Sequence, residues 1–223
     1  MKTINSFISE KLKITKNMIN NQHNGYEFVD LGLPSGTLWA TCNIGADEEH
    51  EYGDYFAWGE TEPKKSYEWH TYKYCDGNFN ELTKYCCHKA FGHHEFIDDI
   101  TELEPSDDAA HVNMGGKWCI PTEKQWEELL SLKNVWVENY KNKKIDGRLF
   151  TGKNGNTLFL PAAGYADNTR FYNTNLYARY MANSIDATVS YSCNHFGFAD
   201  DNPGYISQKS RYNGNPVRAV FTK

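Results

Sequence analysis

Three short groups of residues have the side-chain types that catalysis or metal binding uses. Cys86-Cys87-His88, His93-His94-Glu95 and Asp98-Asp99 bring thiols, imidazoles and carboxylates into one stretch, and thiolate with imidazole suits zinc or another transition ion. Their spacing fits no standard zinc site, so the stretch reads as a solvated loop and no metal site is assigned. Asp200-Asp201-Asn202 clusters the hard oxygens that calcium prefers. Asp107 and Asp108 could pass for paired carboxylates, yet they follow Ser106 at the start of a helix-like run, where the helix dipole favours negative charge. Gly-x-Ser-x-Gly and Walker-type glycine loops are absent. No catalytic residue, metal or cofactor is therefore assigned.

The chain is better equipped for binding. From Tyr165 to Pro216 it contains no Glu and no Trp, although sixteen Glu and six Trp precede that stretch. Met, Gln and Lys occur once each there, as Met181, Gln208 and Lys209; Asn, Tyr, Ser, Asp, Ala, Thr, Arg, Phe and Gly make up most of the rest. Tyr and Arg give large contact area at low entropy cost, and Ser, Asn and Gly give adaptable hydrogen bonds. The expected contact residues are Asn173, Asn175, Tyr177, Arg179, Asn183, Asp186, Tyr191, His195, Phe198, Asp200, Asp201, Tyr205, Arg211, Tyr212 and Asn213. Alternate residues of a strand face inward, so about half of such a set is structural. A codon of the AAC type with both adenines randomised reaches this palette but not Trp, Met, Glu, Gln or Lys. The plain alternative is that strand-and-turn segments lack Glu and use Tyr and Asn freely.

The elements that must carry these residues are short. At 223 residues, with 39% hydrophobic and 15% aromatic side chains, the chain can build a real core. Its low mean hydropathy of −0.72 reflects long polar loops. The net charge is −6, and no basic stripe with interleaved aromatics occurs, so nucleic acid is not an expected partner. No run of eighteen apolar residues predicts a membrane span. Ser6, Ser9, Glu10, Lys11 and Lys13 break any signal-peptide core, so no export signal is expected and the six cysteines are expected to stay reduced.

Residues 4–14 place Ile4, Phe7, Ile8 and Leu12 at helical spacing, which predicts a short amphipathic helix. Such a helix is marginal alone and must dock on the domain, a second copy or a larger assembly. Residues 1–24 are thus expected to form an attachment helix and linker, with the main domain over 25–223. That domain is expected to open with strands over Tyr26–Leu33 and Thr37–Ile44 around Pro34-Ser35-Gly36. Short helices are predicted over 80–90 and over 106–113, the latter capped by Ser106. Thr122-Glu123-Lys124-Gln125 is a capping box opening a helix with Trp126, Leu129 and Leu130 inward. Arg148–Lys153 and Asn156–Leu160 flank Asn154-Gly155 as a hairpin, and a last strand runs from Pro216 to Phe221.

Several phrases resemble a known family when taken in order: Val29-Asp30-Leu31-Gly32-Leu33-Pro34-Ser35-Gly36-Thr37-Leu38-Trp39-Ala40, Tyr52-Gly53-Asp54-Tyr55-Phe56-Ala57-Trp58-Gly59-Glu60, Gly115-Gly116-Lys117-Trp118-Cys119-Ile120-Pro121-Thr122, Phe159-Leu160-Pro161-Ala162-Ala163-Gly164-Tyr165 and Val217-Arg218-Ala219-Val220. Their order, over roughly residues 26–221, resembles the Fibrobacter-succinogenes-type major paralogous domain family of gut Bacteroidetes and their phages. The resemblance implies an α+β, C-type lectin-like fold of short antiparallel strands, two main helices and long loops. It is also similar to variable proteins of diversity-generating retroelements, whose surface residues near the C-terminus are rewritten at adenines; Met181 would then be templated. The Tyr-Trp-Ser-Ser phrase of the family has only Tyr180-Met181-Ala182-Asn183-Ser184 in its place.

The resemblance implies a non-enzymatic binding protein whose region 165–216 meets a protein or glycan ligand on a cell surface. A phage or prophage receptor-binding or virion-surface adhesin fits, virion-associated or in host cytoplasm before assembly, attached through residues 1–24 or as a homo-oligomer. The Glu-Pro-Asn and Trp-Asn-Asp phrases of calcium-dependent sugar-binding lectins are absent. The alternatives are an inactive or divergent formylglycine-generating-type enzyme, for which Cys193 is the lone cysteine beyond Cys119 where a copper-binding pair is needed, and a structural module with one fixed partner.

Overall fold

The computed structural model describes residues 21–223, and the expected helix over 4–14 lies outside them. Strands β1 (Gln22–His23), β2 (Tyr26–Asp30) and β3 (Thr37–Ala40) form an antiparallel meander. The folded body thus already includes Gln22 and His23, ahead of the expected boundary at 24. His23 is tied in firmly: its ring stacks on Phe221 at 4.4 Å and its Nε2 accepts from the Lys117 amide at 2.8 Å. The Pro34-Ser35-Gly36 turn closes with the Gly36 amide on the Leu33 carbonyl.

A loop-rich region follows, containing β4 (Tyr55–Phe56). The helix expected over 80–90 does not form. Of Leu82, Tyr85, Cys86 and Ala90, which the spacing puts on one side, the first three are fully buried and Ala90 is exposed; the backbone bonds across the loop instead of up a helix, the Leu82 amide donating to the Phe91 carbonyl and the His93 amide to the Leu82 carbonyl. Tyr85 sits at φ 58, incompatible with a right-handed helix. The Asp98 carboxylate receives the Tyr85 and Cys86 amides at 2.7 and 2.8 Å and holds that conformation.

Helix α1 (Ala109–Met114) is capped by Asp108, not Ser106. Asp108 Oδ1 accepts from the Ala110 and His111 amides, and its Oδ2 from Ile120. Helix α2 (Glu123–Leu130) has the expected Thr122–Gln125 capping box and buries Trp126 and Leu129. Strands β5 (Lys133–Val137), β6 (Gly147–Thr151) and β7 (Thr157–Pro161) form one antiparallel sheet with β6 at its centre, and the predicted hairpin joins β6 to β7. The final strand divides into β13 (Asn215–Pro216), paired with β4, and β14 (Val220–Thr222), paired with β3. Between them Arg218 is fully buried, donating to Asn43 Oδ1 and to the Ala40 and Thr41 carbonyls.

The site depends on β8 (Tyr165–Asp167), β9 (Arg170–Tyr172), β10 (Tyr177–Ile185), β11 (Ser192–Ala199) and β12 (Tyr205–Ser210). β8 and β9 make a small hairpin, while β10, β11 and β12 form an antiparallel sheet. That sheet separates two cores. One face gives Ala178, Tyr180, Ala182, Phe196 and Phe198 to a cluster with Trp39, Trp126 and Phe150. The other gives Met181, Ile185 and Cys193 to a cluster built on Trp58, Tyr72, Tyr85 and Trp118. Burial on both sides explains why β11 shows almost no alternation of polarity. The architecture is α+β, with mostly antiparallel strands and two α-helices among the described residues.

Candidate functional site

The period of two along β10, β11 and β12 decides which side chains share a face. Tyr177 and Arg179 on β10, His195 and Gly197 on β11, and Tyr205, Ser207 and Lys209 on β12 stand on one side, through the pairs Arg179–Gly197, His195–Ser207 and Gly197–Tyr205. The Tyr177 and Tyr205 hydroxyls stand 3.4 Å apart over Gly197. A Cβ at Gly197 would come within 2.5 Å of the Tyr177 oxygen, so a larger residue there would push the Tyr177 ring aside. Burial, then the neighbouring Tyr205 hydroxyl, raises the Tyr177 phenol above its ordinary range.

The β8–β9 hairpin docks against this face. The Arg179 guanidinium stacks 3.9 Å above the Tyr165 ring, and Tyr165 stacks on Tyr172 at 5.6 Å. Gly164, at φ 63, allows the Tyr172 carbonyl to approach where any Cβ would collide. Tyr212 lies beside Asp167; burial first and that carboxylate second push its phenol up. From Tyr212 the aromatic contacts continue to Trp69 at 5.0 Å, from Trp69 to Tyr191 at 6.4 Å, and from Tyr191 to Phe79 and Phe91 at 5.2 and 5.0 Å. The result is a band of aromatic side chains along one side of the molecule, with Phe171, Leu176, Tyr172 and Tyr205 exposed near one end and Phe79 at the other.

The expected contact residues divide accordingly. Tyr177, Tyr191, Tyr205 and Tyr212 lie in the band, and Asn173 is exposed just after Tyr172 in a left-handed turn. Arg179 and His195 lie directly beneath it, at 3% and 1% exposure. The others are placed elsewhere. Phe198 faces the opposite core, near Trp136. Arg211 is fully buried between the Trp58 and Tyr72 rings and donates to the Tyr85 carbonyl, so it holds the frame. Asn213 is buried in the turn before β13. Asn175 braces loops, accepting from the Tyr52 hydroxyl and the Asp146 amide. Asp186 closes its own turn through Thr188. Asp200 and Asp201 are exposed at the β11–β12 turn, where Arg148 Nη2 bonds the Asp200 carbonyl. Asn183 lines a separate cleft of about 430 Å³ with Glu102, Glu123 and Ser184.

Tyr165, Asp167, Phe171, Leu176, Trp69, Phe79 and Phe91 are members that the sequence did not single out. Asn168, between two short aromatic-containing segments, was the local signal for the β8–β9 hairpin. Nothing local marks Trp69, which arrives by tertiary packing. The cysteine–histidine stretch does not gather around one point: Cys86 is buried and its thiol points to the His88 carbonyl, while His93 pairs with Glu81 at 2.8 Å. Among the described residues, no three His, Cys, Asp or Glu side chains are arranged to hold a metal ion, and no helix is long and apolar enough to cross a membrane. Compared with family models, curated proteins and solved structures, the chain finds no match in any of the three.

Proposed function

We propose that this chain is a non-enzymatic ligand-binding protein of C-type lectin-like fold, akin to the variable proteins of diversity-generating retroelements. In this reading it serves as a receptor-binding or virion-surface adhesin of a phage or prophage, attached through residues 1–24. The observation that carries the reading is the aromatic band. Its residues from the 165–216 stretch (Tyr165, Asp167, Phe171, Tyr172, Leu176, Tyr177, Tyr191, Tyr205 and Tyr212) all belong to the set a randomised AAC codon reaches. Met181, which such a codon cannot reach, is buried, and its carbonyl accepts from the Trp126 indole at 3.1 Å. Gln208 and Lys209 on β12 are exposed and would be templated positions beside the band. A rigid two-core frame lets such surface side chains change without repacking the interior.

The competing enzyme reading asks for a reactive thiol. Cys193 is buried in the core, and burial pushes its thiol up to about 12, which leaves a poor nucleophile. Sequencing this gene across related isolates tests the proposal. Substitutions are expected at adenine-bearing codons for the exposed Asn173 and Tyr205 and the half-buried Tyr212, with Phe196, Phe198 and Arg211 constant. Variation spread evenly over surface and core would overturn it, as would an invariant band.

A further inference from the structure

We propose that Arg179 and His195 form the floor of a carboxylate-binding site beneath the aromatic band, and that the group it takes is an acidic side chain of a protein ligand. The inference rests on reading the band as a binding face. Arg179 uses Nε to donate to Asn215 Oδ1 at 2.6 Å and lays its guanidinium on Tyr165. Its Nη2 is buried without a hydrogen-bond partner. Among the described residues, no carboxylate lies within ion-pair distance of it. Both ring nitrogens of His195 are likewise buried without a partner.

The two residues that carry these three orphaned atoms share one face of the sheet. Arg179 lies opposite Gly197, and His195 lies two residues along the same strand on the same face, opposite Met181. Diagonal neighbours of that kind sit roughly 7–8 Å apart at the backbone, a span that two long side chains and one carboxylate can bridge. Interiors rarely leave such groups unsatisfied, and an uncompensated buried cation is the most costly kind. A carboxylate answers two of the three demands: one oxygen for the guanidinium edge, where charge-assisted bonds are strongest, and one for the imidazole N–H, leaving the other ring nitrogen as an acceptor. Burial first, then Arg179 and Lys209, hold His195 neutral with a pKa of about 3, so it supplies one donor and no second charge. A neutral sugar hydroxyl would leave the guanidinium charge unpaired.

Tyr165, which carries the Arg179 guanidinium on its ring, and Tyr212 are both half-buried. Asp167, beside Tyr212, is the internal acid that feels Arg179 and would be the competitor in the free protein. The length of the band and its Tyr-rich surroundings suit a protein epitope better than one sugar ring.

The test follows the side-chain Nε–H resonance of Arg179 by NMR in the whole protein during titration with sodium acetate, against sodium chloride at matched ionic strength. A shift that saturates with acetate and is absent with chloride is expected. No shift, or the same shift with both salts, would overturn the site. Acetate should also raise the melting temperature of the wild type but not of Arg179→Gln; equal gains would count against the proposal, and if that variant does not fold the resonance alone decides. A glutamate-containing peptide should then move the resonance at lower concentration than glucuronate, and the reverse order would overturn the assignment to a protein side chain. The acetate response does not depend on variation among isolates, so an invariant band sinks the proposed function and an unmoved Arg179 sinks only the carboxylate site.

Discussion

Trp126→Ala and Tyr205→Ala should separate frame from surface. Trp126 is fully buried, stacked on Phe196 at 4.9 Å and 11° and packed on Trp39 at 4.7 Å. Its indole N–H satisfies the Met181 carbonyl in the middle of β10. Truncating a buried Trp removes about 3–5 kcal/mol, and the stranded carbonyl adds about 1 kcal/mol. Tyr205 is 39% exposed, and its hydroxyl has only the 3.4 Å approach to Tyr177. Its loss should therefore cost about 1 kcal/mol or less. Urea unfolding followed by fluorescence or far-UV circular dichroism reads both. With a denaturant slope of roughly 2–3 kcal/mol/M, the Trp126 variant should unfold about 1.3–3 M earlier, and the Tyr205 variant less than about 0.5 M earlier. Binding should respond in the opposite order, with Tyr205→Ala weakening capture of the ligand while remaining folded. If the two substitutions shift the midpoint equally, β12 is part of the frame and the band is not a free surface.

Three further outcomes are expected. Because burial keeps His195 neutral in the fold with a pKa of about 3, while an unfolded histidine titrates near ~6.5, the unfolded chain binds the extra proton and stability must fall as pH drops from 6.5 toward 3; in His195→Gln, urea midpoints measured across that window should flatten. Burial alone would raise Asp107, but hydrogen bonds from Lys84, Tyr74 and Tyr85 outweigh it and hold the carboxyl at about 2, so its contribution is present above the unfolded value near ~4 and is lost between there and pH 2. Asp107→Asn should remove that acid dependence, and an unchanged profile would refute the pairing. Asp108→Ala strands the amides of Ala110, His111 and Ile120, so thermal unfolding should show a loss of about 2 kcal/mol, at the upper end for helix caps; a neutral result would mean that another group caps α1.

Legibility followed the range of the forces involved. The α2 capping box, the Asn154-Gly155 hairpin and the Pro34-Ser35-Gly36 turn were all readable because each is decided within four or five residues. The segment over 80–90 shows the opposite case. Its apolar spacing marked Leu82, Tyr85 and Cys86 for burial, and also Ala90, which is exposed because the Asp98 carboxylate, twelve or more residues on, captures amides that a helix would have used. Ser106 looked like a cap, and Asp108 won because its second oxygen also reaches Ile120.

The candidate site divides the same way. Composition alone marked 165–216 as a stretch rich in contact-making side chains, and strand periodicity warned that about half would turn inward. Which half was a tertiary matter. Arg211 and Phe198 have the same residue types as good contact residues, yet each meets an aromatic core on its side of the β10–β11–β12 sheet. Trp69, Phe79 and Phe91 join Tyr191 and Tyr212 only because the loop-rich region folds back over one face. Sequence by itself could set caps, turns and a binding palette, since these act over one turn of chain. The sharing of a face, and the choice between anchor and contact, arise from packing between distant segments, which no local pattern encodes.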